Sequence, residues 1–399
     1  MSRLLFMGCA AYLLIGLSHV IIGSLLPELL THYNLHYSSG GQLVFTQFSG
    51  FLLGVLLVPW MTATFSKRST LFMMLIVLGI AQLAYGFLPP WPLMYAIGFI
   101  AGFGFGSIEA IIGALIIESI HDKKAMAMSR LEIFFGVGAL IMPLFASWMI
   151  RIGYWHISFY IIALTSLLLA LGFKILPLGQ AEEHLSKKIT NTTKTHVPLP
   201  YNKREKYVLL FCILFFLIYV GSEMSLANFL PSFLIVNLNI DSALASLSVT
   251  CLWGTMVVGR IITGIIADKV NYTSFLLWSC LGTVIFTTLF VFVTSSWSAF
   301  IVIMLIGLFM SGIFAVSLLY ANKLLPGKIE KTTSILIASG GVGGALMPLA
   351  MGWIMDHATV NMAVIFIIMG TVALLVMSML AFRLNVQVQA VSKAIMEKV

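Results

Sequence analysis

GVGALIMPLFASW (136–148) and GVGGALMPLAMGW (341–353) are one segment written twice. They align without a gap at an offset of 205. Gly136, Val137, Gly138, Met142, Pro143, Leu144 and Trp148 are matched by Gly341, Val342, Gly343, Met347, Pro348, Leu349 and Trp353. Farther out on each side, Leu26-Pro27 returns as Leu230-Pro231 at an offset of 204. Convergence on small-residue helix packing produces glycine-rich segments, but it does not produce two of them at near-equal offsets. The chain reads as a duplication.

Both copies are apolar throughout, and so is most of what surrounds them. Hydrophobic residues are 60% of the 399 and charged residues 9%, against roughly 45–50% and about 25% in a soluble domain. A soluble fold has nowhere to hide that much apolar surface, whereas a bilayer is itself an apolar solvent. Runs long enough to span one, at least about 18–20 residues, cover 4–30, 41–64, 70–88, 92–120, 130–150, 155–176, 207–236, 244–267, 273–293, 297–325, 332–354 and 360–383. A spanning segment in lipid must satisfy its own backbone hydrogen bonds, so each run is expected to be helical. Barrel strands would be about ten residues long and alternate in polarity, and these runs do neither. The expected fold is an all-α integral membrane protein of 12 transmembrane helices in two pseudo-symmetric six-helix bundles. These are residues 1–176 and 207–383, with a polar linker at 177–206 and a tail at 384–399. Duplicated halves of this kind mark a transporter architecture whose substrate site lies between the halves near the midplane.

The net charge of +8 does not point to nucleic acid. With both termini cytoplasmic, every one of the 22 Lys and Arg except Arg151 falls on the cytoplasmic side, which is the positive-inside pattern. Some attraction to anionic lipid head groups follows from the same charges. Cys9, Cys212, Cys251 and Cys280 all lie inside expected helices, with neither metal spacing nor a disulfide framework, and read as packing residues. Arg3 followed by an apolar run imitates a signal peptide, but the run is too long and is interrupted by His19 and Glu28. GFGFG (102–106) has no preceding strand, so it is close helix packing rather than a phosphate cradle. No nucleophile–base pair or metal constellation supports an enzyme, and no cofactor is expected. A sensor or receptor would need an additional folded domain, for which the polar linker has no room.

Ionisable groups at mid-bilayer depth are costly and therefore informative. Glu109 and Glu223 sit near the midpoints of the fourth and seventh spans, and His19 near that of the first. Gln47 and Asn228 add amides, and Trp253 adds an indole able to stack on a sugar ring. Low-dielectric surroundings disfavour the charged form of a carboxyl, which can then take up and release a proton as its hydration changes. Glu109 and Glu223 are the candidate proton-coupling groups. His19, Gln47, Glu223, Asn228 and Trp253 are the candidate substrate contacts. Packing carboxyls and interhelical amides remain the plainer reading of each. No Lys or Arg lies near a span midpoint, which favours a neutral or cationic substrate over an anion. At the cytoplasmic end of the eighth span, GRIITGIIADK (259–269) offers Arg260, Asp268 and Lys269 as a gate. Arg130 and Glu132, at the start of the fifth span, are either a second latch or an interfacial ion pair.

GLSHVIIGSLLPELL (16–30), FTQFSGFLLGVLLVP (45–59), SIEAIIGALI (107–116), SRLEIFFGVGALIMP (129–143), GSEMSLANFLPSFL (221–234) and LWGTMVVGRIITG (252–264) resemble the fucose–galactose–glucose permease branch of the major facilitator superfamily. The resemblance implies that the spans carrying His19, Gln47, Glu109 and Glu223 line the central cavity. It also implies that Gly264-x-x-x-Asp268-Lys269 is the family's gating motif and that Glu109 matches the helix-4 carboxylate of fucose permease. The acid which that permease carries in its first helix has no counterpart here, and His19 occupies the region instead. The implied function is sugar uptake across a bacterial plasma membrane by a monomer with both termini cytoplasmic. A proton gradient would drive it, with sodium left open. The rival within the same fold is a proton-coupled efflux antiporter for drugs or metabolites. The antiporter Gly-Pro signature is missing from the fifth span, where Met142 precedes Pro143.

Overall fold

The computed structural model describes residues 2–119, 124–176, 201–266, 270–326 and 328–396. The described residues form helices joined by short turns: α1 (Ser2–Tyr33), α2 (Tyr37–Phe65), α3 (Lys67–Gly86), α4 (Trp91–Ser119), α5 (Lys124–Arg151), α6 (Ile157–Ile175), α7 (Lys203–Leu238), α8 (Ser242–Ile266), α9 (Tyr272–Val291), α10 (Ser296–Met310), α11 (Ile313–Leu324), α12 (Ile329–His357) and α13 (Val360–Met396). Among them are 12 spans long and apolar enough to cross a membrane. The tenth is one span by hydropathy but two helices by geometry, because α10 ends at Met310 and α11 begins at Ile313.

Other departures from the expected boundaries have local causes. α7 begins at Lys203 rather than 207 because Asn202 and Glu205 form a reciprocal capping box, each side chain accepting from the other's backbone N–H. Glu205 also pairs with Lys328. The last helix runs on to Met396, past the apolar stretch that ends near residue 383.

The duplication is visible in the packing. In the first half a Cβ on Gly138 of α5 would run into the carbonyl of Leu13 on α1; in the second, a Cβ on Gly343 of α12 would run into that of Leu217 on α7. Gly102 of α4 meets the Gln47 carbonyl of α2, and Gly307 of α10 meets the Leu252 carbonyl of α8. Each second-half pair is the first-half pair displaced by 204 or 205 positions, so the repeat conserves backbone-to-backbone contacts. Close approach through small residues is how helices associate where lipid removes the hydrophobic drive. The repeated prolines Pro27 and Pro231, and Pro143 and Pro348, lie inside their helices. Membrane helices tolerate them because neighbours re-satisfy the freed backbone groups.

The outer surface stays apolar. The repeat's own Trp148 and Trp353 are 57% and 56% exposed, as expected of a face turned to lipid rather than to a core. Buried residues concentrate in the seams between helices, and the two halves meet along α1–α7, α2–α12 and α5–α8.

Candidate functional site

Between the halves lies an open cavity enclosing about 820 Å³, its mouth included. The first half contributes Tyr12 and His19 (α1), Phe48 and Phe51 (α2), Glu109 (α4), and Glu132 and Phe135 (α5). The second contributes Glu223 and Met224 (α7), Trp253 and Arg260 (α8), Phe314 (α11), and Ile337, Gly340 and Gly341 (α12). Helical spacing explains most of this. Tyr12 and His19, like Trp253 and Arg260, are seven residues apart and fall on one face, about two turns along the helix.

The repeat built this lining in pairs. At the offset of 204 seen between α1 and α7, His19 answers to Glu223. At 205, Phe48 answers to Trp253, Glu109 to Phe314, Glu132 to Ile337 and Phe135 to Gly340. The two walls share their positions and differ in their chemistry. Two carboxyls of the first half face outlines that are hydrocarbon in the second.

Glu109 and Glu223 therefore both reach the central chamber. Glu223 is 6% exposed and makes one hydrogen bond, accepting from or donating to the Tyr219 hydroxyl at 3.1 Å. His19 sits in an aromatic box, its ring centroid 5.4 Å from Phe48, 5.8 Å from Phe105, 5.5 Å from Phe135 and 6.4 Å from Trp253. Its Nε2 lies 3.1 Å from the Met224 sulfur. Trp253 is buried, and the Arg260 guanidinium lies over its ring at 5.8 Å. Trp253 Nε1 and Arg260 Nη1 are both buried N–H donors without a hydrogen-bond partner among the described residues, and such donors are costly to leave unmet.

Two expectations change here. Arg260 and Glu132 were read as gating residues near the cytoplasmic ends of their helices, yet both side chains line the cavity. The cavity thus holds a guanidinium, although no cation lies near a span midpoint in sequence. Arg260 gets there because its long side chain springs from the Trp253 face. Arg130 is exposed and outside the lining, as a position two residues from Glu132, about 200° round the helix, should be. Gln47 and Asn228 are also outside it. Gln47 is buried where α2 crosses Gly102 of α4, and Asn228 Nδ2 donates to the Met224 carbonyl of its own helix at 2.8 Å, beside Gly23 of α1. Asn228 follows Glu223 by five residues, which turns it about 140° away from the cavity face. Asp268 and Lys269 lie outside the described residues. Tyr12, Phe48, Phe51, Phe135, Met224 and Phe314 were not anticipated. Tyr12, two turns before His19, and Phe135, one turn after Glu132, share a helix face with an ionisable residue; the others carried no such signal.

Hydrogen bonds fasten the halves at the end away from the linker. At the end away from the linker, the Asp356 carboxylate of α12 accepts from Tyr37 N at 2.8 Å, from Ser38 N at 2.6 Å and from the Ser38 hydroxyl, all at the start of α2. On the opposite seam Ser246 Oγ donates to the Pro143 carbonyl at 3.4 Å, and Thr250 Oγ1 to that of Leu140 at 3.2 Å. Toward the linker, Glu132, Ile133 and Phe134 on α5 and Ile261, Ile262, Ile265 and Ile266 on α8 are exposed, and a Cβ on Gly264 would meet nothing within 4 Å. The cavity opens on that side.

A paired-half helical bundle with ionisable groups in an aromatic-lined chamber between its repeats has a counterpart in sequence. The model of the Major Facilitator Superfamily matches residues 8–235 and 211–397. The chain belongs to this superfamily of membrane transporters. Within it, the chain is 30% identical over 357 residues to the glucose/mannose transporter GlcP of Bacillus subtilis, covering 88% of each protein. It is 27% identical over 198 residues to a putative glucose/galactose transporter of Helicobacter pylori, covering 50% of this chain and 46% of that one. Its fold matches that of a solved D-xylose-proton symporter with a TM-score of 0.74 at 15% identity, covering 94% of this chain and 96% of that one. It is a multi-pass membrane transporter of this fold, not an enzyme.

Proposed function

We propose that this protein takes up a neutral hexose-type sugar by alternating access, driven by the proton gradient. The observation that carries the reading is the composition of the inter-half cavity. Glu109 and Glu132 on the first-half wall, and Glu223 on the second, supply carboxyls that exchange protons and accept from hydroxyls, and Arg260 and Trp253 on the second-half wall supply unmet N–H donors. A polyol, which both donates and accepts at each hydroxyl, satisfies the two walls at once. The indole and phenyl faces suit the apolar face of a sugar ring. Three carboxyls around one guanidinium disfavour a dianion and need bound protons to close over a neutral cargo. The likeness to GlcP supports a hexose.

In this reading Glu109 and Glu223 are the coupling groups, and His19 and Trp253 belong to the sugar site. The basic linker end faces the cytoplasm, both termini lie there, and the cavity is open inward. The protein works as a monomer in a bacterial plasma membrane, and the proton rather than sodium is the coupling ion.

Reconstituted proteoliposomes test this. Labelled glucose should accumulate when the outside is made acidic, and a protonophore should abolish the accumulation, with no dependence on sodium. Absence of hexose transport together with proton-driven extrusion of a lipophilic dye would establish the efflux reading in its place.

A further inference from the structure

The Tyr219 hydroxyl stands between two acceptors with one hydrogen to give. Its oxygen lies 3.1 Å from Glu223 Oε1 and 2.9 Å from the backbone carbonyl of Met310, and all three residues are buried. Met310 is the last residue of α10. Its carbonyl is one of those that a terminating helix leaves without an intrahelical donor. A hydroxyl shared between two acceptors makes at best a weaker three-centre bond; both contacts are full hydrogen bonds only if Glu223 is protonated, the acid then donating to Tyr219 Oη and Tyr219 to Met310. When Glu223 is ionised, the single Tyr219 hydrogen is claimed by the carboxylate, since a hydrogen bond to a charged acceptor is roughly twice as strong as one to a neutral acceptor. The Met310 carbonyl is then buried without a donor.

What that carbonyl terminates is the break in the tenth span. Ser311 and Gly312 form the turn between α10 and α11. Ser311 is packed against Gly259, Gly312 against Thr263, and Phe314, two residues on, is part of the cavity wall. Phe314 stacks its edge on Phe216 and leans on Tyr219, at 5.2 and 6.4 Å between centroids. The titratable and charged groups facing the Glu223–Tyr219 pair are Arg260 on α8 and Cys280 on α9. Tyr12, His19, Glu109 and Glu132 face it across the cavity, while α11 and α12 present Phe314 and Ile337 there.

We propose that Tyr219 couples the proton on Glu223 to the break between α10 and α11: protonation holds the Met310 carbonyl and the break closed, and loss of the proton to the cavity releases them. The proposal rests on Glu223 being a proton-exchanging group, as argued above. The one covalent change is the Glu223 O–H bond, whose proton passes to a cavity water; the Tyr219 hydrogen then rotates from the Met310 carbonyl to the Glu223 carboxylate. Tyr219 is a positioning residue, since it does not line the cavity.

Hydrogen–deuterium exchange of the full chain in lipid nanodiscs, read on residues 308–316 against pH and corrected for intrinsic exchange, tests it without a transported ligand. In the native protein, protection of this segment should fall on the order of ten-fold as pH rises, the loss expected for one buried hydrogen bond. Tyr219→Phe keeps the ring and removes the hydroxyl, so the segment should exchange fast at every pH. Glu223→Gln keeps a donor toward Tyr219, as the protonated acid does, so the segment should stay protected at every pH. A native segment indifferent to pH, or a Tyr219→Phe profile superimposed on the native one, overturns the relay. Proton-driven glucose accumulation by Glu223→Gln in proteoliposomes at the native level would instead overturn the role of Glu223 in coupling, whatever the exchange data show.

Discussion

Removing one carboxylate, Asp356→Ala, should open the sealed end of the molecule. Asp356 caps α2 from the other half of the protein, accepting two backbone N–H groups and a hydroxyl at the positive end of that helix. α2 has no cap of its own, because His36 at its N-cap makes no side-chain hydrogen bond. A hydrogen bond to a charged group contributes about 1.5–3 kcal/mol, and a carboxylate at a helix N-terminus about 0.3–1 kcal/mol more. Asp356 is only partly buried, and its three bonds are partly redundant, so the whole latch is worth roughly 1.5–3 kcal/mol. Lost only from the conformer in which the end is closed, this favours the open conformer about 10- to 150-fold. A conformer present at about 1% would rise to about 10–60%. Spin labels at the exposed positions 42 and 358, read by pulsed dipolar spectroscopy in nanodiscs, should report a dominant short distance in the native protein. A second, longer population should appear in Asp356→Ala, with Asp356→Asn between the two. Superimposable distance distributions for all three would refute the latch.

Three further outcomes follow from the cavity and the seams. Glu109→Gln should abolish proton-driven accumulation in proteoliposomes while leaving sugar counterflow at equal pH; accumulation at the native rate would remove Glu109 from coupling. Trp253→Phe keeps an aromatic face and deletes an unmet N–H donor, so KM for glucose uptake should rise about two- to ten-fold with little change in maximal rate. Gly343→Ala places a methyl group against the Leu217 carbonyl and should lower stability by about 1–3 kcal/mol in a thermal-shift assay in detergent. Gly264→Ala, whose Cβ meets open space, should not.

The membrane class, the spans and the duplication were legible because each is written in composition and period, which lipid enforces along every helix. The break in the tenth span was not. Its residues, MSGIF (310–314), are as apolar as the rest, and hydropathy does not distinguish a continuous helix from two helices joined by a turn. Of the site, Glu109 and Glu223 were legible because burying a carboxyl in hydrocarbon without purpose is expensive. Arg260 and Glu132 were misplaced by the same rule, applied to the position of the Cα. A side chain of several bonds reports where its terminus is, and the cavity cuts toward the helix ends on the linker side. The seven-residue step from Trp253 to Arg260 was the available clue. Gln47 and Asn228 show the converse error, since mid-depth polarity also marks the seams where backbones cross.

The repeat also explains why the closed end is fastened on one seam by charge and on the other by hydroxyls. At the offset of 205, α2 begins where α8 begins, Tyr37 answering to Ser242, and the positions that cap them correspond: His36 to Asp241, and Arg151 to Asp356. α8 is capped from within its own half, Asp241 Oδ1 accepting from Leu244 N at 3.1 Å. α2 takes its cap from the other half, through Asp356. The same two helix ends are satisfied in both cases, but only one of the two acids ties the halves together. The two halves are parallel repeats about an axis along the membrane normal, so equivalent positions lie at the same end of the molecule and two identical halves would fasten that end equally on both seams. Moving one capping acid across the interface gives the closed far end a stabilisation that has no partner at the linker end among the described residues. The asymmetry between the two seams then resides in the helix caps. It follows that Arg151→Asp, which restores an acid at the repeat-equivalent site, should bring α8 a cross-half cap in competition with Asp241. Combined with Asp356→Ala, it should recover part of the short-distance population lost from the single variant. A double variant indistinguishable from Asp356→Ala would mean that the two seams are not interchangeable, and the symmetry argument would fail there.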